Sequence, residues 1–525
     1  MKEFTDLKKI VASLTDEEYR YELSKNGKVL GDNSSYRILL DYLRVNIDPT
    51  IEETELFIYG KGKSSAFKQL VYRSKDRILE LWISRYSISN SLFYDDRAKE
   101  IFALRKQLIQ FDILCLRGLN EIALKLIAQI IQKAKLYEYY DLLVFALYKK
   151  LRLSTNRTVL EDYQSQLAEI DFYEDCRKIY HKAEIDYKNL YIHLNEKKKI
   201  IEQEKNIEKI VRNLEADVIR TKSKTIRYNY FLFKAEMYHL QDNYVRSAAV
   251  WEELIQLVSS NKYLNSTHGL GLAYYNLGRS QVFLFDFSSA KHTLKKAFQL
   301  TRYFDPNTTS YFMYMFLIAY YEVSKKEIER NIDILNSYFY SGIIVHYLAA
   351  KVQFYNACIK FIQQDYKSSY LLLNDVKALE QDKESWNIAI RILSIMNQIE
   401  LENYALADTL IENLRKHHER VKKTLPVSKR DEKIIQILTA LSRHSYHFRR
   451  TFRVKAEAFI LLDSLEKEYR WKILSPEMII FHEWFKAKTE SKTYDHFELM
   501  PRIIKKYAAV HKGFVPLEED VEIFK

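Results

Sequence analysis

The sequence predicts an all-α protein, and three observations carry that expectation. Glycine and proline number only 10 and 6 in 525 residues, against average usage of roughly 7% and 5%. The 150 residues between Gly118 and Gly269 contain neither. Hairpin turns, bulges and phosphate loops draw on those residues, so a chain without them reads as helices joined by short polar turns. Through most of the chain, moreover, apolar residues recur every three or four positions, the period of one helix face.

Composition sets the bounds. Hydrophobic residues make up 47% and charged residues 29%, a soluble globular balance, and the length suits two to four domain-sized units. Cys115, Cys176 and Cys358 lie far apart in helical stretches and have no metal or redox spacing, which predicts inert thiols. The N-terminus alternates charged and apolar residues, unlike a signal peptide, and no window approaches 18 uncharged apolar residues. The expectation is a reduced, cytoplasmic protein with no membrane span. Net charge is +12, and from Arg415 to Lys455 thirteen Lys or Arg face three acids, an excess of ten that accounts for most of it.

Taken in order, residues 1–90 read as a small helical unit. Asp32 or Asn33 can cap a helix over "SSYRILLDYLRVNI", Pro49 can open the next, and Ser64 or Ser65 can cap a third. In the third, Phe67, Leu70, Val71, Ile78, Leu81 and Trp82 form one apolar face, while Lys68, Arg73, Lys75 and Arg77 occupy much of the rest. Residues 91–225 read as degenerate hairpins with long charged helices, where Ile207, Ile210, Val211, Leu214 and Val218 leave a narrow apolar stripe.

Residues 226–416 carry an internal repeat. "DNYVRSAAVWEELI", "FDFSSAKHTLKKAF", "QDYKSSYLLLNDV" and "ENYALADTLIENL" align without gaps. Each places an aromatic (Tyr244, Phe287, Tyr366, Tyr404) three residues before a small residue (Ser247, Ala290, Ser369, Ala407). Large apolar residues (Trp251, Leu294, Leu373, Ile411) follow four positions on, and a further apolar one (Leu254, Ala297, Val376, Leu414) three beyond that. The small residue lets two helices approach, and the large ones fill the seam to the next pair. The aromatics are spaced by 43, 79 and 38 residues. The double interval predicts a worn copy at "SKKEIERNIDILNSYF". Residues 417–525 read as a basic helical region and cap.

This pattern resembles the tetratricopeptide repeat family. The best copy is "LAYYNLGRSQVFLFDFSSAKHTLKKAFQL", in which Leu277-Gly278 matches the family's Leu-Gly pair and Ala290 and Ala297 its two alanines. Lys234-Ala235 and Asn356-Ala357 replace that pair in other copies, and "RGLNEIALKLIAQIIQKA" is a degenerate copy upstream. The layout, with "WKILSPEMIIFHEWFKAK" near its end, is also similar to a group of Bacteroidota helical-repeat proteins. The resemblance implies a right-handed superhelical array of antiparallel helix pairs, an α-solenoid behind the small N-terminal unit. It further implies a scaffold that binds proteins or peptides on a concave surface, with Asn229, Glu236, Tyr275, Arg279, Lys351 and Phe354 facing inward.

The remaining motifs weigh little. Gly62-Lys63-Ser64 ends like a phosphate loop, but Phe57 stands where its first glycine belongs. A helix-turn-helix reading makes Ser64 to Arg85 a groove helix with Lys61 and Lys63 near phosphates. The exposed side, however, lacks an obvious base-reading trio, and a structural unit is favoured. His417-His418 and His444/His447 have no carboxylate or cysteine at ligand spacing, His482-Glu483 lacks a zinc protease's second histidine, and Ser266 and His268 sit in a turn with no nucleophile context. No catalytic, metal or cofactor set is expected. The basic region, with Lys422, Lys423, Arg449, Arg450 and Arg453 as its candidate patch, mixes cations and aromatics as single-strand binders do and also suits an acidic protein. The leading expectation is a non-enzymatic scaffold for a protein or peptide partner, an acidic one being suited. The alternative is a DNA-binding regulator with the array as its sensor.

Overall fold

A computed structural model describes residues 2–14, 16–26, 34–46, 49–60, 62, 64–83, 95–154, 160–196, 200–264, 266–301, 305–340, 346–374, 376, 386–423 and 427–509. Among them are 25 helices and no strands. The chain divides into two compact units, residues 1–110 and 111–525.

The first unit holds α1 (Lys2–Ser13), α2 (Asp16–Asn26), α3 (Ser35–Val45), α4 (Ile51–Tyr59), α5 (Ser64–Ile83) and the start of α6 (Asp96–Leu116). Phe4, Leu7, Val11, Leu39, Leu40, Phe67, Val71 and Ile78 form its core. Ser34 caps α3; the expected Asp32 and Asn33 lie outside the described residues. After Pro49, Thr50 and Glu53 form a reciprocal capping box on α4, and Gly60, at φ +67°, ends it. Lys61 and Lys63, and the side chains of Ser64, Leu81 and Trp82, also lie outside the described residues.

The second unit continues with α7 (Asn120–Leu136), α8 (Tyr140–Ser154), α9 (Leu160–Glu196), α10 (Ile200–Thr221), α11 (Lys224–Leu240), α12 (Tyr244–Ser260), α13 (Thr267–Phe283), α14 (Phe287–Thr301) and α15 (Asp305–Tyr321). Next come α16 (Lys325–Tyr340), α17 (His346–Ile362), α18 (Tyr366–Leu373), α19 (Trp386–Glu400), α20 (Tyr404–Lys422), α21 (Lys429–Arg443), α22 (Phe448–Val454), α23 (Ala456–Leu462), α24 (Phe481–Thr489) and α25 (His496–Ala508). From α7 to α23 each helix packs on the next.

One turn makes the hairpins. Asp242 adopts a left-handed conformation at φ +59°. Its N–H donates to His239 O and that of Asn243 to Tyr238 O, the paired bonds of a Schellman motif. Asn243 then caps α12 by accepting from Arg246 N. Two residues thus end one helix and begin the next, which forces the pair antiparallel. The same turn recurs at Phe285, Val323, Gln364 and Glu402, roughly one helix pair apart. Val323 is the worn copy, and in its helix α16 Ile328, Ile332 and Leu335 are buried at the repeat positions. The turn also stands at Gly118 and Glu138, and at Ser445 with a second left-handed residue, Tyr446. Only Gly118 of these is glycine, which is how the chain turns so often with so few glycines.

The small repeat position lies where three helices meet. Ser247 in α12 donates to Ala235 O in α11 and sits 3.4 Å from Ser280 Oγ in α13. Ser369 in α18 donates to Ala357 O in α17 and accepts from Asn397 Nδ2 in α19. In the best copy Ala290 is fully buried, and a Cβ on Gly278 would stand 2.7 Å from Leu294 Cγ, so the Leu-Gly pair permits the close crossing of α13 and α14.

Candidate partner-binding surface

The inward row implied by the repeat register is taken up within the chain. Arg279 clasps Glu236 through both carboxylate oxygens, at 2.8 and 3.0 Å, and Glu236 is 2% exposed. Asn229 is buried. Tyr275 is half-buried and meets Tyr314 edge-on; burial pushes its phenol pKa well up. Lys351 lies over the Trp386 ring at 4.9 Å, and Phe354, 1% exposed, packs on the same indole. The structure therefore joins Glu236 to Arg279 and gathers Lys351 and Phe354 on Trp386. Phe354 is a core residue, and its burial removes it from any free inner surface.

The C-terminal segment is the feature that sequence reasoning missed. After α23 the chain leaves the stack and lies along the ends of the first helices, beside their turns. Arg470 and Lys472 reach Asp242 at 3.2 and 2.9 Å. Burial raises the Asp242 pKa, and Lys472, then the Tyr244 hydroxyl that donates to it, then Arg470 more than reverse this, so it ends below the usual range. Trp471 packs edge-on against Tyr321. Tyr320 donates to Met478 O, and His496 Nε2 lies 3.0 Å from Tyr320 O. Trp484 and Lys488 both bind Glu400. One segment is thus tied to turns from that at Asp242 to that at Glu402.

Arg430 anchors its root. Buried to 6% exposure, it engages five acceptors: Leu462 O, Tyr469 O, both Glu477 oxygens and His482 Nδ1. Arginine only donates, so Nδ1 must accept and the neutral ring carries its proton on Nε2, 3.4 Å from Asp463 Oδ1. Asp463, His482 and Glu483 lie close enough to suggest a cation site. A protonated Nε2 has no lone pair for a metal, and Lys486, Arg502 and Lys506 already neutralise the two carboxylates. This cluster is structural. Ser266 uses its hydroxyl to cap α13 at Gly269 N.

In the basic region much of the charge is balanced. Lys422 pairs with Glu432, Arg415 with Glu412 and Lys429 with Glu468. Arg449 donates to Thr489 O, and Lys423, Arg450 and Arg453 are exposed. Between α20, α21 and the start of α23 lies a cleft of about 390 Å³, with Arg415, His418, Lys422, Arg443 and Lys455 among its lining residues. Of the candidate patch only Lys422 lines it; Arg449, Arg450 and Arg453 lie on α22, outside. On α5, Lys75 pairs with Glu3, and Arg77 pairs with Glu22 and covers the Tyr36 ring; Lys68 and Arg73 remain exposed.

These features define a repeat protein of stacked helix hairpins. No family model matches the sequence, and no curated protein matches it. Among solved structures it is similar to the crystal structure of yeast Tom70, with a TM-score of 0.36 and 14% identity over 84% of this chain and 96% of that one, a likeness too loose to bear on fold or function. Among the described residues no helix is long and apolar enough to cross a membrane.

Proposed function

We propose that the chain is a non-enzymatic scaffold that acts in the cytoplasm by holding a protein or peptide partner. The observation that carries this is the cleft beside α20 and α21, a concavity in a stack of hairpins whose cations Arg443 and Lys455 have no ion-pair partner among the described residues. Stacked hairpins suit such work because each adds surface without adding chemistry. Val454, 60% exposed, lines the same cleft and adds an apolar contact beside those cations. The regulator reading draws on Lys68 and Arg73 of α5, but Lys75 and Arg77 of that helix are spent on acids of their own unit.

The test is capture on the full chain from nuclease-treated extract, followed by reconstitution of the complex from the two purified components. A defined stoichiometric protein complex supports the proposal. Partners that vanish with nuclease, and no binary protein complex, would refute it.

A further inference from the structure

We infer that the cleft between α20 and α21 is a receptor for an acidic, partly apolar segment of a partner protein, held by Arg443 and Lys455 over an apolar floor. This rests on the scaffold reading and specifies its ligand. The volume, about 390 Å³, falls within the roughly 300–1,000 Å³ of ligand-sized sites.

Charge selects an anion. Four Lys or Arg side chains line the cleft against Glu419 and Glu432. Glu432 is matched by Lys422, and Arg415 by Glu412 outside the lining. Arg443, in the last turn of α21, and Lys455, at the head of α23, are left to an incoming carboxylate. Arginine suits this role because its planar fork can take a carboxylate in two hydrogen bonds.

His418 lines the cleft at 5% exposure, and its Nε2 is buried with no hydrogen-bond partner among the described residues. That atom has essentially no accessible surface, so the side chain shapes the wall of the cleft and does not itself bond to a ligand. Burial holds this imidazole pKa below its usual value; Glu419 and Glu432 oppose that and Lys422 supports it. His418 therefore leaves the charge to its neighbours.

The lining favours a peptide over nucleic acid. Ile435, Ala440 and Val454 give it apolar ground, and no Phe, Tyr or Trp is among the residues that line it. Single-strand binders use aromatic platforms for bases, and none is offered. Glu419 and Glu432 would repel a backbone charged at every nucleotide, whereas a peptide can place its carboxylates away from them.

The test uses the full chain and an array of short fluorescent peptides of Glu and Leu, each with a Gln-for-Glu counterpart, together with oligothymidylate. The expected result is that the best Glu peptides bind roughly tenfold or more tighter than their Gln counterparts. The surface variant R443E/K455E should lose that preference at an unchanged melting temperature, whereas R449E/R450E/R453E should retain it. A wild-type chain with no Glu preference, a preference that survives R443E/K455E, or stronger binding of oligothymidylate would overturn the proposal. If the native partner still binds R443E/K455E, the cleft assignment falls and the scaffold reading stands. If the wild-type chain holds no protein at all, the scaffold reading falls.

Discussion

Ala290 and Gly278 hold α13 and α14 together by being small. Ala290 is fully buried, so Ala290→Trp must push the helices apart, at a cost of roughly 1–3 kcal/mol or more. A chemical denaturation midpoint equal to wild type would show that the seam is misplaced. Left-handed Glu402 offers the opposite change. It is exposed, at φ +57°, where a side chain costs roughly 1–2 kcal/mol relative to glycine. Allowing for the extra freedom glycine gives the unfolded chain, Glu402→Gly should stabilise by roughly 0.5–1 kcal/mol. A lower midpoint would contradict it. The repeat positions were legible in the sequence because size at a fixed spacing is a local signal. The cleft was legible only as a basic stretch. Whether Arg443 and Lys455 or Arg450 and Arg453 face it depends on how α21 to α23 are turned, which their spacing does not encode.

Among the elements, α11 is tied to a turn far back in the chain. The Glu138 carboxylate, in the left-handed turn between α7 and α8, accepts from Ser223 Oγ, Lys224 N and Thr225 N at 2.7 to 3.0 Å. A carboxylate at a helix N-terminus meets otherwise unpaired donors and the positive end of the helix dipole. Glu138→Ala should cost about 1 kcal/mol, and hydrogen exchange should quicken first at Lys224 and Thr225. Unchanged exchange there would refute the cap. The α7–α8 hairpin escaped the repeat pattern because Leu143, fully buried, stands where the four aligned copies have a small residue. The hairpin at Ser445 was hidden by its charges and an extra turn residue. The path of the C-terminal segment gave no local sign, since its bonds to Tyr320 and Asp242 span 158 to 230 residues.

For the whole molecule, buried histidines set the response to acid. Burial lowers the pKa of His239, His418 and His482, and brings His496 to about 4. Unfolded, each titrates near 6.5. Above that pH both states are neutral and these groups contribute nothing; below it the unfolded chain takes up protons that the folded one refuses, so stability falls toward the folded pKa values. His181 acts in reverse. Its hydrogen bond to Asp141 raises its pKa, a stabilisation present below about 6.5 and lost as pH rises through the folded value. Four groups outweigh one, so the denaturation midpoint should drop between pH 6.5 and 5. A midpoint that rises over that interval would contradict this placement of the histidines.

On the proposed reading the array holds a protein and its basic region does not grip nucleic acid. Affinity for duplex DNA as a function of salt decides it. Each phosphate neutralised releases counterions and steepens the fall of log affinity with log salt by about 0.9. A protein scaffold should show only weak retention, gone near physiological ionic strength, as a net charge of +12 would give any chain, and little altered by reversing Arg449, Arg450 and Arg453 to Glu. Tight duplex binding at physiological salt, with a steep slope that the triple reversal flattens while the fold stays intact, would contradict it.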